Sequence, residues 1–267
     1  MTITGVAAGV PFVAVPPASG AVAAPTVVGW HLMDAPRTET AFAAALPLTG
    51  LGAWRIYLGL PLCGSRMPEG GFDELMRLGY EDAVLNMFGP AALGAAAEFP
   101  TALAQLRSRF DLAPGPIGLF GGSIGSAVAQ LVVAGGEVEV AAAALISPVA
   151  RLADVVGANE RRFGVTYAWS DASREIAARM DFVARAGELE DTPVLIVVGE
   201  DDDEAGFRAP AAALSTKLGA ELVTIAGMGH ALAEEPGLEP APQIPAAKEV
   251  DRLVVDWFAT RLPDQTT

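Results

Sequence analysis

The sequence predicts an α/β fold with a mostly parallel central sheet, and three observations predict it. Short apolar runs bounded by Gly and Pro alternate with longer Ala-rich amphipathic segments, the pattern of strands that cross over through helices. The later apolar runs are nearly continuous, as expected of strands covered on both faces. The last long segment, from Ala246, sets Val250, Leu253, Val254, Trp257 and Phe258 on one face at a period of 3.6, which suits a helix lying on that sheet.

Taken in order, strands are expected in VPFVAVP from Val10, PTVVGWHL from Pro25, AWRIYLGLP from Ala53, PIGLFG from Pro116, VAAAALIS from Val140, PVLIVVG from Pro193 and AELVTIAG from Ala220. The run AAAALI also fits a buried helix, but the Ser147-Pro148 stop and the helix before it favour a strand. Helices are expected from Thr38, Ala91, Ile124, Ala209 and Ala246. Between Pro148 and Thr192 the alternation stops, and arginines, aromatics and acids follow one another without a strand. This segment is too short for a domain of its own. The chain therefore reads as a single domain over residues 1–267, with 150–191 as a short helical insertion.

The charge balance narrows the function. With 32 Asp and Glu against 17 Lys and Arg the formal net charge is -15, which repels phosphate backbones and anionic lipid surfaces and argues against nucleic-acid or membrane partners. Cys63 is the single cysteine, so neither an internal disulfide nor a multi-cysteine metal site can form, and a buried small hydrophobe is its expected role. There is no P-loop lysine and no metal-ligand cluster, so no cofactor or metal is expected. No run approaches the roughly 18 apolar residues of a membrane span. GAVAAP, from Gly20, imitates a signal cleavage site, yet no Lys or Arg precedes Arg37 and Pro11, Pro16 and Pro17 break the apolar start. A cytoplasmic protein is expected.

The chemistry concentrates in IGLFGGSIGSAVAQLVV, from Ile117. Gly121, Ser123 and Gly125 match Gly-x-Ser-x-Gly, in which a serine sits on a sharp strand-to-helix turn that only small neighbours permit. Nine serines and 29 glycines give about 0.1 accidental matches, so the setting matters: a buried strand run precedes the motif and an amphipathic helix follows. A serine hydroxyl needs a histidine base, and that base needs an acid. Of the two histidines, His230 lies in IAGMGHAL directly after the last expected strand. The acid is expected after PVLIVVG, where GEDDDE offers several carboxylates; Asp202 is chosen, with Asp201 as the alternative.

The order Ser123, Asp202, His230, each after a predicted strand, resembles the α/β-hydrolase superfamily, and in particular its smaller dienelactone-hydrolase, serine-esterase and peptidase-like members with a short cap. The resemblance runs from about Val10 to Leu262. It implies that Ser123 attacks an acyl carbonyl, His230 shuttles the proton, Asp202 orients the ring and water hydrolyses an acyl-enzyme. It further implies two oxyanion donors: the backbone N–H of Ile124, and one from the loop after an earlier strand, usually His-Gly-x. That loop here is WHLMD, so Met33 is the implied donor with Leu32 as the alternative; Leu32 replaces the usual glycine and bears on substrate approach, while His31 is implied to be structural.

In such a protein residues 150–191 form the cap. Tyr167 and Trp169 are the expected substrate contacts, with Phe163, Met180 and Phe182 as further apolar walls and Arg161, Arg162 and Arg174 as possible partners of an anionic group. The expected substrate is a small or medium ester, thioester or lactone. Two other readings compete. A dinucleotide-binding enzyme lacks the Gly-x-Gly-x-x-Gly spacing and an acid after the next strand; a non-catalytic binding or scaffold protein is favoured only by the altered WHLMD loop.

Overall fold

The computed structural model describes residues 2–18 and 24–262. Most of the GAVAAP stretch, and residues 1 and 263–267 at the ends of the expected domain, lie outside the described residues. Eight strands form one sheet: β1 (Ile3–Ala7), β2 (Val10–Val15), β3 (Thr26–Trp30), β4 (Trp54–Leu58), β5 (Ile117–Gly122), β6 (Val140–Ile146), β7 (Val194–Gly199) and β8 (Glu221–Ile225). Their spatial order is β1-β2-β4-β3-β5-β6-β7-β8. β2 runs antiparallel to both of its neighbours and every other pair is parallel.

The helices are α1 (Glu39–Ala45), α2 (Gly71–Ala83), α3 (Gly89–Phe110), α4 (Ile124–Gly135), α5 (Leu152–Phe163), α6 (Asp171–Arg179), α7 (Ala209–Leu218) and α8 (Pro245–Ala259). Among the described residues no helix is long and apolar enough to cross a membrane.

Two buried faces explain the continuous apolar runs. In β3 Val28 and Trp30 join one core and Val27 the other; in β6 Ala143 and Leu145 alternate in the same way with Ala142, Ala144 and Ile146. Side chains alternate across a strand, so a strand covered on both sides must be apolar at every position. The first core holds Phe99, Leu103 and Leu106 of α3 with Val128 of α4. The second holds Phe42 of α1 and Val250, Val254 and Phe258 of α8, the apolar stripe read from the sequence.

Two parts of the fold, β1 and α2, were not among the expected elements. β1 is a partly exposed edge strand, joined to β2 by the two-residue turn Ala8-Gly9, both at positive φ (49° and 85°). α2 buries only Leu75, although its apolar Phe72, Leu75, Met76 and Ala83 recur at helical spacing as in an amphipathic surface helix. It stops where Asp82 turns extended (φ -164°), and Asp82 Oδ1 then accepts the N–H groups of Val84 (3.1 Å) and Leu85 (2.8 Å) to start the π-helical turn Val84–Phe88 that leads into α3. α3 in turn runs through Pro100 despite the lost hydrogen bond, because its flanking Phe99, Ala102 and Leu103 are buried.

Candidate active site

The sheet register brings distant segments to one edge. Trp30 pairs with Gly121, Gly122 with Ile146, Ile146 with Val197 and Gly199 with Ile225, so the loops after β3, β5, β6, β7 and β8 all leave the same carboxyl end. Ligand sites of open α/β sheets form in that place.

Ser123 occupies the turn between β5 and α4 with φ 48° and ψ -119°, a conformation costing about 1–3 kcal/mol that the surroundings must impose. They do so by contact and hydrogen bonding. A Cβ on Gly121 would stand 2.2 Å from Gly125 O, and one on Gly125 2.2 Å from Trp30 O, so the two motif glycines let strand, helix and the neighbouring β3 approach. The Ser123 N–H donates to Ile146 O (2.9 Å), and Ser123 O accepts both the N–H (2.9 Å) and the hydroxyl (2.6 Å) of Ser126. The Ser126 hydroxyl in turn accepts the Val149 N–H (3.1 Å), tying the elbow to the chain beyond β6.

Three expected residues meet here. Ser123 Oγ lies 2.8 Å from His230 Nε2, and His230 Nδ1 lies 2.8 Å from Asp202 Oδ2. Of the carboxylates in GEDDDE, Asp202 is the buried one, while Asp201 is exposed. Its second oxygen accepts the Asp203 N–H (2.8 Å), so both oxygens of this acid are occupied and its orientation is set. Asp203 instead caps Gly206 N–H (2.6 Å) and pairs with Arg161. The Phe207 ring leans on the imidazole, with centroids 4.1 Å apart, a support that the sequence did not disclose.

The loop after β3 is held by its histidine and its arginine. His31 is buried, which pulls its pKa down to about 4 and keeps the ring neutral. Its Nδ1–H donates to Leu32 O (2.6 Å) and its Nε2 accepts the Leu60 N–H (3.2 Å). The Leu32–Met33 peptide is trans, so fixing the Leu32 carbonyl on His31 aims the Met33 N–H in the opposite direction. Ile124 opens α4, where first-turn N–H groups have no partner within the helix. Arg37 donates to Met33 O, to Pro236 O (3.1 Å) and through one nitrogen to both oxygens of Glu235 (2.9 Å each), so it joins this loop to the one that follows His230. Arg37 N–H to Gly237 O (2.7 Å) and Leu232 N–H to Ala35 O (2.9 Å) complete the junction.

The other expected contacts are dispersed. The Leu32 side chain is fully buried in the second core, in the space above Gly122 that a Cβ there would fill. Tyr167 donates its hydroxyl to Asp82 and its N–H to Glu160 Oε1 (2.7 Å). It lines a cavity of about 420 Å³ between α2 and α5, together with Met76, Met87, Phe88, Val156 and Phe163. None of Ser123, Asp202 and His230 lines that cavity, and Trp169 packs edge-on to Tyr167 outside it, with Arg174 over its ring.

Met180 and Phe182 correct the expectation of pocket walls: both are fully buried core residues. Arg162 lies over Phe163. Cys63 is buried, with its thiol pushed up to about 12 by burial. Among the described residues no group of three or more His, Cys, Asp or Glu is placed to hold a metal ion.

No protein-family model matches the sequence, and no curated protein matches it. Solved structures do. TT1662 from Thermus thermophilus superposes with a TM-score of 0.64 at 18% identity over 99% of both chains. A cold-adapted esterase from an Arctic intertidal metagenomic library gives 0.59 at 21% identity, covering 98% of this chain and 93% of its own. A predicted CIB-like hydrolase from Thermoplasma acidophilum gives 0.58 at 14% identity, covering 97% and 98%.

Proposed function

We propose that this chain, which has the α/β-hydrolase fold, is a serine hydrolase that cleaves a small or medium ester, thioester or lactone through an acyl-enzyme on Ser123. The observation that carries the reading is the unbroken hydrogen-bonded line from Asp202 through His230 to Ser123, at 2.8 Å for each link, at the carboxyl end of the sheet. The fold alone would not support it, because one fold serves many functions.

In this mechanism His230 Nε2 takes the hydroxyl proton of Ser123 as Oγ attacks the acyl carbonyl, and Asp202 stabilises the imidazolium through Nδ1–H. The carbonyl oxygen, now negative, accepts the N–H of Ile124 at the start of α4 and the N–H of Met33, aimed by the His31-held Leu32 peptide. His230 returns its proton to the departing alcohol or thiol. Water then attacks the acyl-enzyme by the same route in reverse and frees Ser123.

A fluorophosphonate probe tests the reading. Ser123 is expected to be labelled in the wild type and unlabelled in His230→Ala, and Ser123→Ala is expected to fold normally while losing hydrolysis of short p-nitrophenyl esters by about 10⁴-fold or more. Folded wild type that takes no label, or a Ser123→Ala variant with full activity, would overturn it.

A further inference from the structure

We propose, resting on the serine-hydrolase reading, that Asp34 selects substrates by the charge of their leaving group, favouring cationic and rejecting anionic alcohols or thiols. Asp34 follows the candidate oxyanion residue Met33, and its Oδ2 stands 3.8 Å from His230 Nε2, the nitrogen that also meets Ser123. The geometry fixes which part of a substrate it faces. Nε2 must reach the leaving-group oxygen or sulfur within hydrogen-bond distance to protonate it. A charge two or three bonds beyond that atom therefore lies within about 10 Å of the Asp34 carboxylate, comparable to the Debye length at physiological salt and well inside it at low ionic strength.

No Lys or Arg among the described residues neutralises this carboxylate first. Among the described residues its single ion-pair contact is His230. The nearest guanidinium in sequence, Arg37, spends its donors on Met33 O, Pro236 O and Glu235. The Asp34 side chain is 37% exposed, open enough to meet a substrate. Esters of amino alcohols fit such a site, whereas thioesters of phosphorylated carriers bring the wrong charge to it, on a protein that already carries a net charge of -15.

The test uses thioacetates of thiocholine, 2-mercaptoethanol and thioglycolate, which share an acyl group and differ in leaving-group charge. At low ionic strength the wild type is expected to rank them in that order by kcat/KM, with about tenfold between the ends. Asp34→Asn is expected to collapse the ranking, and added salt to compress it in the wild type alone. A purely structural role for Asp34 would lower all three rates by one factor; that result, or an unchanged ranking, overturns the proposal.

A second readout needs no turnover: the rate at which Ser123 is phosphorylated by a diethyl phosphorothiolate whose leaving group is thiocholine, relative to one whose leaving group is 2-mercaptoethanol, the P–S bond breaking as the Ser123 Oγ–P bond forms; Asp34→Asn should lower this ratio. Hydrolysis of the neutral thioester that depends on Ser123, combined with indifference to Asp34→Asn, sinks the charge selection and leaves the hydrolase reading standing. Failure of Ser123 to react with any of these reagents sinks both.

Discussion

The loops around His230 and the helices around Tyr167 solve different problems. Segments 31–38 and 230–238 are joined by backbone and side-chain bonds together: Leu232 N–H to Ala35 O, Arg37 N–H to Gly237 O, the Thr38 hydroxyl to Leu238 O (2.9 Å), and the Arg37 guanidinium to Pro236 O and Glu235. Around Tyr167 a side-chain bond to Asp82 links the end of α2 to the α5–α6 segment beside an open cavity, whose lining residues Tyr80, Phe163 and Val165 are exposed. Acyl transfer needs reacting atoms held within fractions of an ångström, whereas admitting a substrate needs only a surface of the right shape and polarity. The denser hydrogen bonding lies around His230, where the proposed acyl transfer would take place.

That contrast is open to attack, and the largest effect belongs to Gly125→Ala. The added methyl would stand 2.2 Å from Trp30 O and cannot be accommodated by side-chain rotation alone. A loss of about 3 kcal/mol or more is expected, with probe labelling of Ser123 abolished. Chemical denaturation and labelling measure both; near-wild-type values would mean that the elbow has slack.

His31→Leu comes next, and pH separates its parts. The unfolded histidine titrates near 6.5 and the folded one near 4, so between these values the unfolded chain holds the extra proton. The stability from keeping His31 neutral is therefore complete above about pH 6.5 and is lost as pH falls toward 4, by about 3 kcal/mol in all. The variant, which leaves the Leu60 N–H without its acceptor, should be about 2 kcal/mol less stable than wild type at pH 7.5. That gap should shrink by about 2 kcal/mol at pH 5, as read by urea unfolding. A gap independent of pH would show that His31 is not held neutral.

The smallest effect is expected from Tyr167→Phe, which removes only the bond to Asp82. Stability should fall by about 1 kcal/mol or less, and under the proposed function ester hydrolysis should move in KM while kcat stays within a few-fold. A hundredfold drop in kcat would erase the contrast between the two regions, because Tyr167 would then share in the chemistry.

The elbow and its two partners were legible because their signals are local or ordinal: glycines at fixed offsets from Ser123, and an acid and a histidine each following an apolar run. Asp34, Arg37 and Phe207 were not legible, since each meets, across the carboxyl edge of the sheet, a residue distant in sequence, 23 positions away for Phe207 and about 200 for Asp34 and Arg37. An acid placed directly after the WHLM loop was the available hint for Asp34. Asp82 also had a usable signal, as an acid just ahead of the apolar run AVLNMF, which marks a helix start. Met180 and Phe182 went the other way: aromatic and sulfur side chains in a helical segment look alike whether they line a pocket or fill a core.

What the sequence determined by itself was seven of the eight strands, the two-faced core and the chain order Ser123, Asp202, His230, because strand periodicity and turn chemistry act over a few residues. Tertiary structure decided which carboxylate meets His230, that Leu32 fills the space above Gly122, and that Asp34 faces the same nitrogen as Ser123. Those choices depend on parallel strands aligning their carboxyl ends. That alignment is long-range register, and no local stretch of the chain encodes it alone.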